Sequence, residues 1–443
     1  MNEQAAFLLV NPPAPSPAEH AYYTRMSPPL GLCYLAASLR EAGYRAEVLD
    51  LGIEPDPQDA LARTLRDLKP RLVGFTLVTQ GYRVTVDAAR LVRTLCPSAT
   101  IVVGGSHASY EWDALLRSGV ADLVARFEAE DTVVELVRHF VDKDGQLDDI
   151  AGIAFPRGDE VVVTEDRSLR TDLDTLPFPD RGRIRLSEYG RPGTIMSSRG
   201  CVKKCVFCVA GNYEGAYRTR APEAVVEEVL HMRRDWGVER FYFADNVFTA
   251  DFGRVQAICA LLRKSGQSLP FYCVARLDTV CDELMEELHR SGCFRVEIGV
   301  ETASQRVVDS LQKGISVERV EAATGICLKH GIQPMFTFQV GLPDDTPESL
   351  NETVAMLRHL RSRGAGAYLS CTTPYPGTPI FEHSERFGLH IEVNGWEDFR
   401  MTNPVCNGPG FTRNDIRRIL YEQYREVLGR RKQLERQERR VVS

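Results

Sequence analysis

Gly200-Cys201-Val202-Lys203-Lys204-Cys205-Val206-Phe207-Cys208 gathers three thiols within eight residues, directly after the short apolar run 194–197. A strand followed by a loop of this kind puts the thiols at the strand's carboxyl end. Gly200 lets the chain turn tightly into the loop. A structural zinc site normally takes four protein ligands, typically as two spaced pairs. A ferredoxin cluster also takes four thiolates. No fourth cysteine is near. Three thiols in one loop suit a [4Fe–4S] cluster held by Cys201, Cys205 and Cys208, with one iron left open for a ligand. Two other readings stand beside it: a coincidental triplet, or a zinc knuckle completed by a distant histidine.

Outward from this loop the pattern is repetitive. Candidate strands at 194–197, 240–244, 271–275, 295–299, 335–340 and 367–371 alternate with helical segments near 222–236, 252–264, 281–291, 317–330 and 347–361. Six repeats of about 35 residues predict a partial, open (β/α)6 barrel, with its site in the loops after the strands. Upstream, apolar runs at 6–10, 46–51, 72–78, 100–103 and 122–124 alternate with helical patterns, which predicts a doubly wound, flavodoxin-like parallel sheet. Three of its strand-end loops are informative: Asn11-Pro12-Pro13, Gly104-Gly105-Ser106-His107 and Arg126-Phe127-Glu128-Ala129-Glu130. Turn signals around Gly145 and Gly158, then Leu176-Pro177-Phe178-Pro179, mark an ordered connector containing a hairpin. The expected organisation is a doubly wound, Rossmann-like domain over 1–144, a connector over 145–190, the barrel over 191–395 and a helical tail over 396–443.

With 443 residues, 43% hydrophobic and 26% charged, the chain can bury a full core, which excludes a disordered or disulfide-stapled scaffold. The net charge of −7 argues against a general nucleic-acid or membrane-surface binder. No stretch is apolar and long enough for a membrane span, and the start lacks a signal-peptide pattern. Twelve cysteines without an export signal point to a reducing cytoplasm. The nine outside the triplet are scattered and read as small core residues.

The CxxxCxxC spacing on the first loop of a six-fold barrel resembles the radical SAM superfamily. The preceding doubly wound domain and proline-rich connector resemble its branch with an N-terminal cobalamin-binding domain, and local strings along the chain support that branch: Asn11-Pro12-Pro13, Pro28-Pro29-Leu30-Gly31, Gly104-Gly105-Ser106-His107 and Pro374-Tyr375-Pro376-Gly377-Thr378-Pro379. The resemblance covers nearly the whole chain. It implies that S-adenosylmethionine chelates the open iron and is cleaved reductively to a 5′-deoxyadenosyl radical, which abstracts hydrogen from the substrate. It also assigns cofactor contacts: the backbone at Phe207 to adenine, and Phe243, Asp245 and Asn246 to the cofactor's amino group. The branch usually has an acid where this chain has Asn246. Arg276 is suited to a carboxylate, Glu301 to ribose or ammonium, and Gln339, Gly341, Leu342 and Pro343 to the adenine side. Glu301, Asp245 and Tyr217 are the acid–base candidates, with His107 and Tyr375 as further contacts. Each has a plainer role open to it, as cap, turn residue or surface ion pair.

The branch usually reads Arg-Gly-Glu-Gly-Glu where this chain has Arg126-Phe127-Glu128-Ala129-Glu130. Phe127 and Ala129 remove the glycines' backbone freedom. The expectation is a retained fold whose cobalamin binding is weak or lost. That favours radical dehydration or deoxygenation of a sugar or aminoglycoside diol in natural-product, antibiotic-type biosynthesis. The alternative is cobalamin-dependent methyl transfer. A non-catalytic corrinoid carrier would not need the cysteine triplet, and an RNA-modifying enzyme would usually add a basic C-terminal domain. The expected partners are a small-molecule substrate and a low-potential electron donor such as flavodoxin or ferredoxin, with no nucleic acid and no membrane.

Overall fold

A computed structural model describes residues 7–13 and 26–441, with side chains described up to residue 429. The first expected strand begins at Ala6, which lies outside the described residues; β1 spans Phe7–Asn11. Strands β2 (Ala46–Asp50), β3 (Leu72–Thr76), β4 (Thr100–Gly104) and β5 (Leu123–Ala125) join it in a parallel sheet of order β2-β1-β3-β4-β5. This is the flavodoxin-type order, in which ligands sit at the carboxyl ends near the point where the order reverses. The helical patterns at about 57–68 and 82–95 in the sequence are the helices Pro57–Leu68 and Tyr82–Leu95. Asp56 caps the first of them by accepting from the Asp59 N–H at 3.0 Å. The strand interiors are almost wholly apolar, as a sheet covered on both faces requires: Leu8, Val10, Val73, Ile101 and Val103 are all fully buried.

The expected connector hairpin is part of this sheet. β6 (Ile153–Arg157) pairs antiparallel with β5, and β7 (Glu160–Val163) pairs with β6. The two strands form the edge of a seven-stranded sheet. β7 is exposed at both ends and half-buried at Val161 and Val162, with no fully buried residue, as suits an edge strand.

The chain divides into two compact units. The first holds the described residues up to 202, with 209–274 and 290–293; the second holds 203–208, 275–289 and the described residues from 294 onward. In the first unit, β8 (Gly193–Ile195) and β12 (Phe271–Arg276) flank β11 (Phe241–Phe243), all parallel. A two-residue ribbon, β9 (Ser198–Arg199) with β10 (Arg218–Thr219), brackets the start of the cysteine loop. In the second unit, β13 (Cys293–Glu301), β14 (Gln333–Val340) and β15 (Gly366–Cys371) run parallel. The six parallel strands alternate with helices as the sequence predicts. The C-terminal segment is only partly helical: a small antiparallel pair (His390–Ile391 with Cys406–Asn407) precedes the helix Arg413–Val441. No helix among the described residues is long and apolar enough to cross a membrane.

None of the twelve cysteines is in a disulfide. Seven of the nine outside the triplet are buried, Cys33, Cys259, Cys273, Cys293, Cys327, Cys371 and Cys406, and burial pushes Cys371 and Cys406 up to about 12. They are inert core residues, in keeping with the division made from spacing.

Candidate functional site

Gly200 sits at φ +77°, and a Cβ there would fall 2.2 Å from the Ala216 carbonyl oxygen, so only glycine opens the cysteine loop. The Cys201 N–H donates to the Gly215 carbonyl at 3.4 Å. Later in the loop, the Val206 N–H donates to Leu311 O at 3.2 Å, and Val206 O accepts from the Ile380 N–H at 3.3 Å. The Cys208 N–H donates to Cys205 O at 3.1 Å. Cys205 is buried, while Cys201 and Cys208 are half-buried. Among the described residues no three His, Cys, Asp or Glu side chains converge on one metal position. A four-iron cluster spreads its thiolates over separate irons, so its ligands need not converge on a single point. The donor set is chemically right for it: three thiols in one loop with backbone ties on either side.

At the end of β11, Asp245 is fully buried. It accepts from the Ser197 N–H at 2.7 Å and the Ser198 N–H at 3.0 Å, and from the Ser197 hydroxyl. Burial pushes its carboxyl above the ordinary range, against the pull of those donors. Asp245 therefore fixes the turn into β9 rather than offering a free acid. Phe243 sends its ring into the core, stacked on Phe248 at 4.5 Å and edge-on to Phe271 at 5.2 Å, so only its backbone is left for a cofactor. Asn246 turns the other way. Its Nδ2 donates to Gly200 O at 3.0 Å and to Glu214 at 2.9 Å. The Tyr217 hydroxyl is buried, and burial raises its pKa.

In the second unit β13 ends on a register shift between Gly299 and Glu301, where Glu301 takes φ +73°. The bulge and the left-handed residue aim the Glu301 carboxylate sideways. It accepts from Lys313 Nζ and from Gln339 Nε2, the latter at 2.7 Å. Lys313 Nζ also lies 5.9 Å from the Phe207 ring centroid. Arg276 forks onto Asp278 at 2.9 and 3.0 Å and donates to Lys313 O at 3.0 Å. The structure thus places Lys313, which no local signal marks, against Phe207 and Glu301, and Gln339 against Glu301. Glu301 already neutralises a cation, which suits it to orienting a ligand better than to taking a proton.

Gly341 and Leu342 donate their N–H groups to Asp345, each at 3.0 Å, and Ser349 donates to it at 2.6 Å. Burial lifts Asp345 from its ordinary value to about 6. The folded state therefore binds a proton that the unfolded chain releases between about pH 4 and 6, and stability falls as pH rises through that window. Asn at this position keeps both N–H acceptances without titrating. D345N is expected to gain on the wild type by up to about 3 kcal/mol between pH 4 and 6, with the gap level above it. Chemical denaturation of both chains across pH checks this; a gap independent of pH would count against it.

A cavity of about 280 Å3 lies at the carboxyl edge of the first sheet. Gly104 and Gly105 leave its strand-end backbone bare, and Leu30, Leu35, Phe127 and Tyr213 supply its walls. Gly105 sits at φ +99°, where a Cβ would meet the Leu77 backbone at 2.8 Å. Phe127 corrects the sequence reading. It adopts φ +60°, the conformation glycine was expected to be needed for. The cost, about 1–2 kcal/mol, is offset by its N–H bond to Ser109 Oγ (2.8 Å) and by ring contacts with Tyr110 and Tyr213, both at 5.8 Å. The bare backbone and apolar walls, with Glu128, Glu130, Arg199 and Glu214 also in the lining, fit a ligand with an apolar face and polar edges. Asn11, in one of the strand-end loops, donates to Asp50 at 2.8 Å, and His107, an expected contact, is buried against Thr79, with burial lowering its pKa to about 4.

Glu128 and Glu130, in the loop after β5, grip the β9–β10 ribbon. Arg218 forks onto Glu128 at 2.7 and 3.0 Å, and Arg199 pairs with both acids. Burial works against the Glu128 carboxylate, but the two guanidiniums prevail and hold its pKa below the usual range.

The Radical SAM superfamily model matches residues 195–357, and the B12 binding domain model matches residues 22–137. An uncharacterised methyltransferase of Pyrococcus horikoshii is 28% identical over 94% of this chain and 91% of its own length. The anaerobic magnesium-protoporphyrin IX monomethyl ester cyclase of Cereibacter sphaeroides is also 28% identical, over 90% of this chain and 66% of its own length. Among solved structures, the radical S-adenosylmethionine methyltransferase TsrM from Kitasatospora setae, with cobalamin and a [4Fe–4S] cluster bound, superposes with a TM-score of 0.71. It is 20% identical over 88% of this chain and 78% of its own, and so speaks for the fold.

Proposed function

We propose, from the premise that the chain belongs to the radical SAM superfamily and carries an N-terminal B12-binding domain, that it is a cobalamin-dependent methyltransferase. The observation that carries this reading is the match to a methyltransferase along almost the full length of both chains. The cavity at the carboxyl edge of the first sheet supports it, because Phe127 keeps the backbone path that the sequence reading took to be lost. The comparisons lend no support to cobalamin-free dehydration of a diol.

In this reading Cys201, Cys205 and Cys208 hold a [4Fe–4S] cluster, and the cavity beside Gly104, Gly105 and Phe127 holds cobalamin. When bound, the cluster supplies an electron for cleaving S-adenosylmethionine, and the corrinoid supplies a methyl-carrying centre. The chain's own groups bind and orient. Lys313 and Glu301 present one cation and one anion side by side, the complement of the cofactor's zwitterionic amino-acid end. Asp345 shapes the backbone at Gly341 and Leu342 for the adenine side. The substrate is a small molecule, and the electron comes from a low-potential donor protein.

The test needs no substrate. The anaerobically reconstituted full chain is incubated with S-adenosylmethionine and a low-potential reductant, with and without hydroxocobalamin. Methyl transfer from the sulfonium leaves S-adenosylhomocysteine, whereas reductive cleavage leaves methionine and 5′-deoxyadenosine. S-adenosylhomocysteine that appears only with cobalamin is the expected result. Only 5′-deoxyadenosine in both arms would overturn methyl transfer and favour a reaction that uses the 5′-deoxyadenosyl radical alone.

A further inference from the structure

The cavity of the first sheet and the root of the cysteine loop share one side chain. Glu214 lines the cavity. Its Oε2 accepts from the Gly200 N–H at 2.8 Å and from Asn246 Nδ2 at 2.9 Å. The same Asn246 Nδ2 donates to Gly200 O at 3.0 Å. Both peptide groups of the residue before Cys201 are therefore held, one by Glu214 and one by Asn246. The geometry is tight, because Gly200 lies in the left-handed region against the Ala216 carbonyl and cannot be replaced by a larger residue. The Cys201 N–H returns to Gly215, next to Glu214. An aspartate at 246 would put two carboxylates 2.9 Å apart and could not donate to Gly200, so the amide is what makes this arrangement satisfiable.

We propose that Glu214 and Asn246 are positioning residues that set the path of the chain into Cys201, and that Glu214 passes the occupancy of the cavity on to the cluster ligands. The coupling half rests on cobalamin filling that cavity. A ligand against the Glu214 wall shifts a side chain with two hydrogen bonds to the cysteine loop, and a loop whose entry moves holds its iron differently. Outer-shell partners of metal ligands act in this way.

The experiment uses the full chain with its cluster reconstituted, and follows release of iron to a chelator with and without hydroxocobalamin. E214Q keeps an oxygen facing the Gly200 N–H; E214A and N246A each remove one side of the arrangement. Wild type and E214Q are expected to release iron at the same rate, and hydroxocobalamin slows both. E214A and N246A are expected to release iron about tenfold faster, with no slowing by hydroxocobalamin. Equal release from all four proteins, with equal protection, overturns the proposal, and N246A decides it if E214A does not fold. If wild type takes up no hydroxocobalamin by its absorbance, the coupling fails together with the reading of the cavity. In that case faster release from E214A and N246A than from wild type, without cobalamin, still supports the positioning role, and equal release overturns it as well.

Discussion

C205A is expected to lose its cluster iron and to make no detectable 5′-deoxyadenosine, a loss well beyond the 10–100-fold, roughly, of an outer-shell change. The expectation is specific because the loop is held independently of the thiol. Val206 is tied through both its N–H and its carbonyl, to Leu311 and Ile380, and the Cys208 N–H returns to the Cys205 carbonyl. None of these bonds uses the Cys205 sulfur, so alanine should leave the backbone path intact and delete one ligand. C259A is the matched control. Cys259 is fully buried in the helix Phe252–Lys264, and its truncation costs a small cavity, about 1 kcal/mol, with iron content unchanged. The measurements are iron and sulfide per chain and 5′-deoxyadenosine formed under reductant. A C205A chain that cleaves the cofactor at the wild-type rate removes the cluster assignment.

The contrast between Cys205 and Cys259 also marks what the sequence could disclose. Three thiols in one loop are a local pattern, and the strand before them is local too, so spacing alone separates the candidate ligands from the scattered cysteines. The alternation that predicts two strand–helix series is equally local, and its helical patterns at about 57–68 and 82–95 are the helices Pro57–Leu68 and Tyr82–Leu95. Lys313 was hidden for the opposite reason. Its meaning depends on Glu301, twelve positions earlier, and on a bulge that turns Glu301 toward it. Asn246 was visible as a departure from an acidic pattern, but its role needs Glu214, thirty-two positions away on another element. Phe127 was misread because a residue-type rule was applied to a site where Tyr110, Tyr213 and Ser109 sustain a left-handed phenylalanine. The hairpin was recognised, yet its membership of the first sheet lies in the pairing of Ala125 with Ile153, which no local signal encodes.

The largest stability effect is expected at Glu228, which no functional argument singles out. Its carboxylate is completely buried in the helix Pro222–Trp236. It lies 2.7 Å from the Arg181 guanidinium and pairs with Arg220 through its other oxygen. Arg181 is itself 1% exposed and donates to Thr194 O at 2.7 Å; Arg220 donates to Met196 O at 3.0 Å. Two buried cations thus share one fully buried carboxylate, with Asp174 3.8 Å from Arg220 as a further, less buried counter-charge, and those cations hold the backbone on both sides of Ile195, the last residue of β8. E228Q keeps the shape and deletes the charge, leaving two guanidiniums in an apolar interior without a full counter-charge. Breaking a buried pair in this way costs about 3–5 kcal/mol. Replacing all three charges (R181M, R220M and E228L together) should cost less than E228Q alone, since the desolvation penalty of every member goes with them. The denaturant midpoints of the three chains decide between the alternatives. A triple variant less stable than E228Q would mean that the guanidinium bonds to Thr194 and Met196, rather than charge balance, hold the entry to the cysteine loop.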